Sequence, residues 1–422
     1  MRRAGRHAWL VAPDARISRT VAGLWLMCFF LGMGPGFWTP ALTNLLEAKG
    51  LGAWVTAAFL TMPCAGLISP LIGGALADQK MRAERLLGWI SILAAATNFA
   101  AFWALDAGWN PWWFIGLLAL NSLIAGPMWG LGATIALSHL RDGERQFPLV
   151  RMGGTVGWMA AGFITSYVLH ADHSTMSGYA AVVARLALGV VAFCLPATLP
   201  TSKPRSWASL LGLEAFDLMK QRELFVFFLV TGLLSIPLAA FYIYTPRHLA
   251  VLGDPHPTGT IAWAQWTEIA TLLVLGAVMK RLRVKTVLLF ALCVTALRFA
   301  LFTMAGITAV KSWLVPGVVL HGVGYTFYFI TAQIYLDRRV PPHMRGQAQG
   351  LMVLISGGLG TMLGTLLVGA LYRVAVIGSH GGWAVFWGVL TSITFLCVGV
   401  FAAFYRSSKP LGARSERADG TN

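Results

Sequence analysis

Residues 286–307, TVLLFALCVTALRFALFTMAGI, carry one charge, Arg298, and follow directly on the basic cluster Arg281, Arg283 and Lys285. A helix crossing a hydrocarbon layer roughly 30 Å thick needs about 20 mostly apolar residues. This stretch is long enough to cross, and its basic neighbours can stay in water. Runs of the same kind recur at 20–46, 52–77, 86–105, 111–139, 147–169, 179–197, 224–250, 259–280, 313–336, 345–372 and 383–405. The 422-residue chain is 57% hydrophobic and 11% charged, which sets it apart from soluble domains. The expected fold class is an all-α membrane protein with twelve transmembrane helices.

The formal charge of +16 would suggest a nucleic-acid partner in a soluble protein. Its distribution argues otherwise. Of the 32 Lys and Arg, 25 fall in the N-terminal arm, the even-to-odd loops, the central linker and the tail, whereas the opposite loops hold four, Lys49, Arg247, Lys311 and Arg373. Short cytoplasmic loops retain Lys and Arg, so both termini and the linker are expected in the cytoplasm and no nucleic acid is implied. The arginines before the first span resemble the start of a signal peptide. However, the apolar run continues too far and a second span follows at once, so an uncleaved first helix is expected. The five cysteines, Cys28, Cys64, Cys194, Cys293 and Cys397, all fall in spans with no close pair. They are expected to be small buried apolar residues rather than disulfide partners or zinc ligands.

The longest polar interval, 198–223, divides the spans six and six. The expected organisation is an N-terminal six-helix half, 1–197, a cytoplasmic linker, 198–223, and a C-terminal half with a tail, 224–422. Within the linker, SWASLLGLEAFDLMK has near-helical apolar spacing and is expected to lie along the membrane surface. Gly74 and Gly276 each precede a polar residue, Asp78 and Lys280, by four positions at matching places in the two halves. Such a repeat points to a solute site between the halves near the bilayer midplane, exposed alternately to either side.

Among sixteen acids, only Glu268, in IAWAQWTEIATLL, sits deep in a span. A carboxylate there is expensive, by roughly 2.5 to 3.5 kcal/mol, unless paired, hydrated or protonated. It is therefore a candidate for loading and releasing a proton, and Gln265, three residues earlier, shares its helix face. The bases within spans are Arg151, Arg185 and Arg298. The last two are expected to pair structurally or to snorkel toward an edge. Arg151 heads RMGGTVGW, in which Gly153, Gly154 and Gly157 allow a second helix to approach while Thr155 and Trp158 share the face of Arg151. A planar donor fork, a hydroxyl and an indole together suit a polar ring-shaped solute. His321 and Tyr325, one turn apart, add polar groups from the tenth span, and Tyr242 adds a polar-tipped ring from the seventh, beyond the kink offered by Pro237. Tyr244, closer to a span end, suits an interface anchor equally well. No metal-ligand cluster, nucleophile–base pair or phosphate-cradling loop is evident, so an enzyme is not expected.

Gly74, Asp78 and Arg82 or Arg85 resemble the loop signature of the major facilitator superfamily, which implies that fold and a cytoplasmic gate at these residues. Within that superfamily the chain resembles the nucleoside:proton symporter family. The blocks that carry the likeness are RMGGTVGW (151–158), SWASLLGLEAF (206–216), QWTE (265–268), LRFALF (297–302) and RGQAQG (345–350). The resemblance implies that Arg151, Thr155, Trp158, Gln265 and Glu268 contact a nucleoside. Glu268 would also couple a proton, with the proton gradient as driving force, no cofactor, and a monomer in the cell inner membrane. The family pattern has a glutamine and an asparagine where this chain has Ala239 and Tyr242, and an aromatic followed by an aspartate where it has Tyr325 and Thr326. Those changes remove hydrogen-bonding groups and put the substrate identity in question. Arg151, Gly154, Gly157 and Trp158 are also similar to the fifth span of sugar symporters, so a proton-coupled sugar carrier is the alternative.

Overall fold

The computed structural model describes residues 19–79, 81–141, 143–199, 213–340 and 345–405. It consists of helices α1 (Arg19–Ala48), α2 (Val55–Gln79), α3 (Ala83–Asp106), α4 (Pro111–His139), α5 (Gly143–Phe163, continued by a π-helical turn over Ile164–Val168), α6 (Met176–Cys194), α7 (Arg222–Val251), α8 (Pro257–Arg281), α9 (Val284–Thr308), α10 (Lys311–Arg339), α11 (Gln347–Ile377) and α12 (Gly382–Phe404). Among the described residues, ten are long and apolar enough to cross a membrane. The remaining two are α2, 25 residues long and without a charge before Asp78, and α5, which carries Glu144, Arg145 and Arg151. Boundaries fall within a few residues of those expected from hydropathy, because the flanking charges and prolines stop each run.

Glycine sets how α5 is seated. A Cβ on Gly157 would collide with the Phe29 carbonyl, one on Gly153 with the Trp25 carbonyl, and one on Gly32 with the Gly154 carbonyl. The backbones of α1 and α5 therefore touch, and the opposite face of α5, bearing Arg151, Thr155 and Trp158, turns inward. Gly322 of α10 plays the same part against α8, where a Cβ would strike Ala264, Thr267 and Glu268. Beside it the Thr267 hydroxyl donates to the Val319 carbonyl.

Three apolar clusters organise the interior. One draws only on residues 24–195, one only on residues 218–405, and the third joins both sets through Trp38, Leu45, Phe102, Ile243, Tyr244 and Trp387. The shared cluster lies at the end of the bundle away from Arg19 and Tyr405, so the two groups of six helices meet there. Hydrogen bonds follow the same division. Thr43 donates to the Ile243 carbonyl at 2.6 Å and Asn44 to the Pro246 carbonyl at 3.1 Å. At the same end Asp172, between α5 and α6, accepts from the Thr258 amide at 2.8 Å, at the start of α8. Ser166 donates to Asp172 at 2.8 Å and accepts from the Gly259 amide at 2.7 Å.

Several expectations change. Cys64, Cys194 and Cys293 are exposed, and only Cys28 and Cys397 are buried. Tyr244 is no interface anchor: it is buried and stacks on Tyr372 at 4.3 Å. Arg185 and Arg298 do not snorkel, being 5% and 2% exposed. Gly74 and Asp78 lie on the last turns of α2, where side chains fall outside the described residues, while Arg82 is exposed immediately before α3. In the linker, residues 200–212 lie outside the described residues. Leu213–Lys220 forms a short 3-10 helix that buries Leu218 against the second group of helices and exposes Phe216.

Candidate functional site

A cavity of about 300 Å³ lies between the two groups of helices, lined by Thr39, Phe59 and Met62 on one side, Ala239 and Tyr242 on the other, and by Trp158. Thr155 and Glu268 meet across the same interface, the Thr155 hydroxyl donating to Glu268 Oε1 at 3.0 Å. Among the described residues it is the hydrogen bond that ties α5 to α8 through two side chains. Glu268 lies one turn beyond a break in α8 at Trp263, which separates Pro257–Ala262 from Ala264–Arg281. The break lets the first turn of α8 dock on Asp172 while Gln265 and Glu268 follow the rest of the helix inward. Gln265 is buried, and its side-chain carbonyl has no hydrogen-bond partner. A buried amide oxygen left free is an acceptor available to a ligand.

Arg151 makes no ion pair with Glu268. Its guanidinium lies over the Trp129 ring of α4, 4.1 Å from the centroid, and remains exposed. Nothing local marks Trp129 for this part, because a tryptophan in GPMWGLGAT looks like any other membrane aromatic. Stacked in this way, the planar group keeps its edge donors free while its flat face is satisfied.

A second polar chain runs through the helices on the other side. Trp158 meets Tyr242 edge to face at 6.3 Å, and the Tyr242 hydroxyl lies 3.0 Å from His321 Nε2. His321 Nδ1 is hydrogen-bonded to Arg298, whose guanidinium also lies over the rings of Phe241 and Phe299 at 4.8 and 4.4 Å. Arginine can only donate, so His321 Nδ1 must accept and the ring proton must reside on Nε2. Tyr242 then accepts from His321 and keeps its own hydrogen for another group. Tyr325 lies 5.6 Å from His321, ring to ring, just before a π-helical stretch at Thr326–Ile330. Such stretches in an α-helix are frequent at functional sites. The Thr326 hydroxyl is buried there without a partner.

All eight expected site residues thus occupy one region, in three groups: Arg151 on Trp129, Thr155 with Glu268 beside Gln265, and Trp158 with Tyr242, His321 and Tyr325. A family model described as nucleoside H+ symporter matches residues 19–410. The chain belongs to that family. It is a transporter rather than an enzyme, a multi-pass membrane protein that moves a nucleoside with a proton, and the proton gradient stands where an enzyme would need a cofactor. Among its relatives, YegT of Escherichia coli (strain K12), provisionally named for nucleosides, is 32% identical over 92% of this chain and 95% of its own length. The xanthosine permease of the same organism is 27% identical over 85% of this chain and 89% of its own. The crystal structure of the nucleoside transporter NupG superposes with a TM-score of 0.80 over 92% of this symporter and all of that chain. At 23% identity, that likeness speaks to the fold alone. The sugar alternative finds less support than the nucleoside one.

Proposed function

We propose that the eight residues form the nucleoside site of a monomeric symporter in which two six-helix halves, 1–197 and 224–422, rock about the cavity, joined by the cytoplasmic linker 198–223. Both termini are cytoplasmic, as the distribution of Lys and Arg requires. The conformation described is then the inward-facing one, because Thr43, Asn44, Ser166 and Asp172 bind the halves together at the periplasmic end.

The observation that carries this reading is the Thr155–Glu268 hydrogen bond, which places the one deep carboxyl of the chain on the line where the halves meet. A proton on Glu268 removes the charge that a nucleoside would otherwise have to share with a dehydrated cavity. Its loss toward the cytoplasm restores the charge and favours release. Arg151 supplies hydrogen-bond donors, Gln265 an acceptor, Tyr242 a hydroxyl, and Trp158 and Tyr325 stacking faces, with His321 holding Tyr242. Gly74, Asp78 and Arg82 hold the cytoplasmic gate when the cavity faces outward. Tyr242 and Thr326, standing where the family has amide and carboxylate groups, tune which nucleoside is accepted.

The test is uptake of labelled uridine into proteoliposomes with and without an inward proton gradient, with unlabelled nucleosides and sugars as competitors. Gradient-driven uptake blocked by nucleosides is expected. Uptake that appears only when the label is moved to a sugar would overturn the substrate assignment.

A further inference from the structure

Arg185 of α6 is 5% exposed, and its Nη2 donates to Asn121 Oδ1 of α4 at 3.3 Å. Its Nε and Nη1 have no partner, and no carboxylate forms an ion pair with it among the described residues. The guanidinium lines a cavity of about 240 Å³, with Trp38, Met62, Asn121, Ser122 and Trp129. Met62 is also a wall of the cavity between the halves, and Trp129 is the ring on which Arg151 lies. The space is therefore a side chamber of the substrate site within the first six helices. Arg298 in the other half makes an informative comparison. It too is buried, but its neighbours are a histidine acceptor and two aromatic faces. Arg185 has one amide, two free nitrogens and open space.

We propose that this chamber binds the carboxylate of an anionic nucleoside, with Arg185 as the charge partner and Asn121 as the residue that orients it. The proposal rests on the nucleoside reading for the size and shape of the ligand, and it extends the substrate class from neutral nucleosides to carboxylated ones. A buried intramembrane cation calls for a counter-charge. Two idle donors require acceptors, and flat indoles at Trp38 and Trp129 suit a planar ring. A single guanidinium with no second cation in the lining matches one negative charge, which favours a carboxylate over a phosphate dianion.

The experiment compares 6-carboxyuridine with 6-methyluridine, its neutral counterpart of similar shape, as inhibitors of labelled uridine uptake in proteoliposomes. For the wild-type protein the carboxylate is expected to inhibit at a concentration at least ten-fold lower, with uridine 5′-monophosphate showing no such advantage. Arg185→Gln should bring the ratio of the two inhibitors close to one. Gly66→Leu should do the same without touching the arginine, because Gly66 lines the chamber and a Cβ there meets nothing within 4 Å, so the added side chain fills the ligand's space. It decides the matter if the arginine variant does not fold. A ratio of one in the wild type, or a ratio unmoved by Gly66→Leu, overturns the proposal. If uridine is not carried at all, thermal stabilisation of the purified protein by benzoate replaces the uptake readout. Stabilisation lost in both variants would uphold the anion site while the nucleoside reading falls, and stabilisation absent from the wild type would overturn the site as well.

Discussion

Replacing Glu268 by glutamine separates proton coupling from substrate passage. The amide keeps the size of the carboxyl and can still accept from the Thr155 hydroxyl, which is 3.0 Å from Oε1. A hydrogen bond to a charged group contributes about 1.5 to 3 kcal/mol and a neutral one about 1. The loss in local binding is then about 0.5 to 2 kcal/mol, or roughly two- to thirty-fold in affinity. Coupling changes in another way altogether, because an amide does not titrate near neutral pH. One proton carried across a gradient of one pH unit is worth about 1.4 kcal/mol, enough to hold uridine about ten-fold more concentrated inside. The Glu268→Gln variant should exchange labelled for unlabelled uridine across vesicles at equal pH, at reduced affinity. Under an inward gradient it should fill only to the outside concentration, with a pH-independent rate. Ten-fold accumulation with the wild-type pH profile would refute the assignment, since the proton would then be travelling through another group.

Other substitutions test the surrounding parts. Arg151→Lys gives up the stack on Trp129, about 0.5 to 2 kcal/mol, and should raise the uridine concentration for half-maximal uptake by roughly two- to thirty-fold without altering the yield of folded protein. Tyr242→Phe leaves the His321 Nε2–H without its acceptor and should lower stability by about 1 to 3 kcal/mol, read as a fall in the thermal midpoint of the purified protein. Gly157→Ala forces a methyl group into the Phe29 carbonyl and should cost at least about 1 to 3 kcal/mol, seen as loss of the folded, monodisperse species in detergent. Asp172→Ala removes the side-chain acceptor that caps the start of α8, about 0.5 to 2 kcal/mol. It should raise labelling of a cysteine introduced at Ile243 by an impermeant reagent added outside, by two- to thirty-fold on the same scale.

Hydropathy and the positions of Lys and Arg made the twelve spans legible, because lipid imposes a length and a polarity on every crossing segment. The face of α5 was legible for a related reason: glycines at 153 and 157 can serve only a close backbone contact, which leaves Arg151, Thr155 and Trp158 on the other side. What escaped the sequence was partnership. Arg298 and Arg185 look alike in LRFALF and VVARLALG, and nothing local to either says that one meets a histidine and the other a chamber. Trp129 was invisible as the seat of Arg151 for the same reason, since membrane helices use tryptophan freely. Asp172 looked like an ordinary loop acid, and its value as a latch arises from a helix start 86 positions later in the chain.

The latch and the carboxyl are linked through one short helix. The first turn of α8, Pro257–Ala262, is held by Asp172 and Ser166 at the end where the two groups of helices meet, and Glu268 follows just after the break at Trp263. Opening that end requires Thr258 and Gly259 to leave their partners, and the most direct motion that achieves this carries α8 away from α5. The Thr155–Glu268 hydrogen bond lies in the path of that motion and must break with it. Its strength depends on whether Glu268 is charged, because a hydrogen bond to a carboxylate is roughly twice as strong as one to a neutral acceptor. A charged Glu268 therefore favours the arrangement described here, and a protonated one eases the outward opening. If Glu268 binds the driving proton, as proposed, its titration also biases which side of the membrane the cavity faces. A carrier needs that link if it is to couple the two movements, since a proton site indifferent to conformation would shift nothing however tightly it bound.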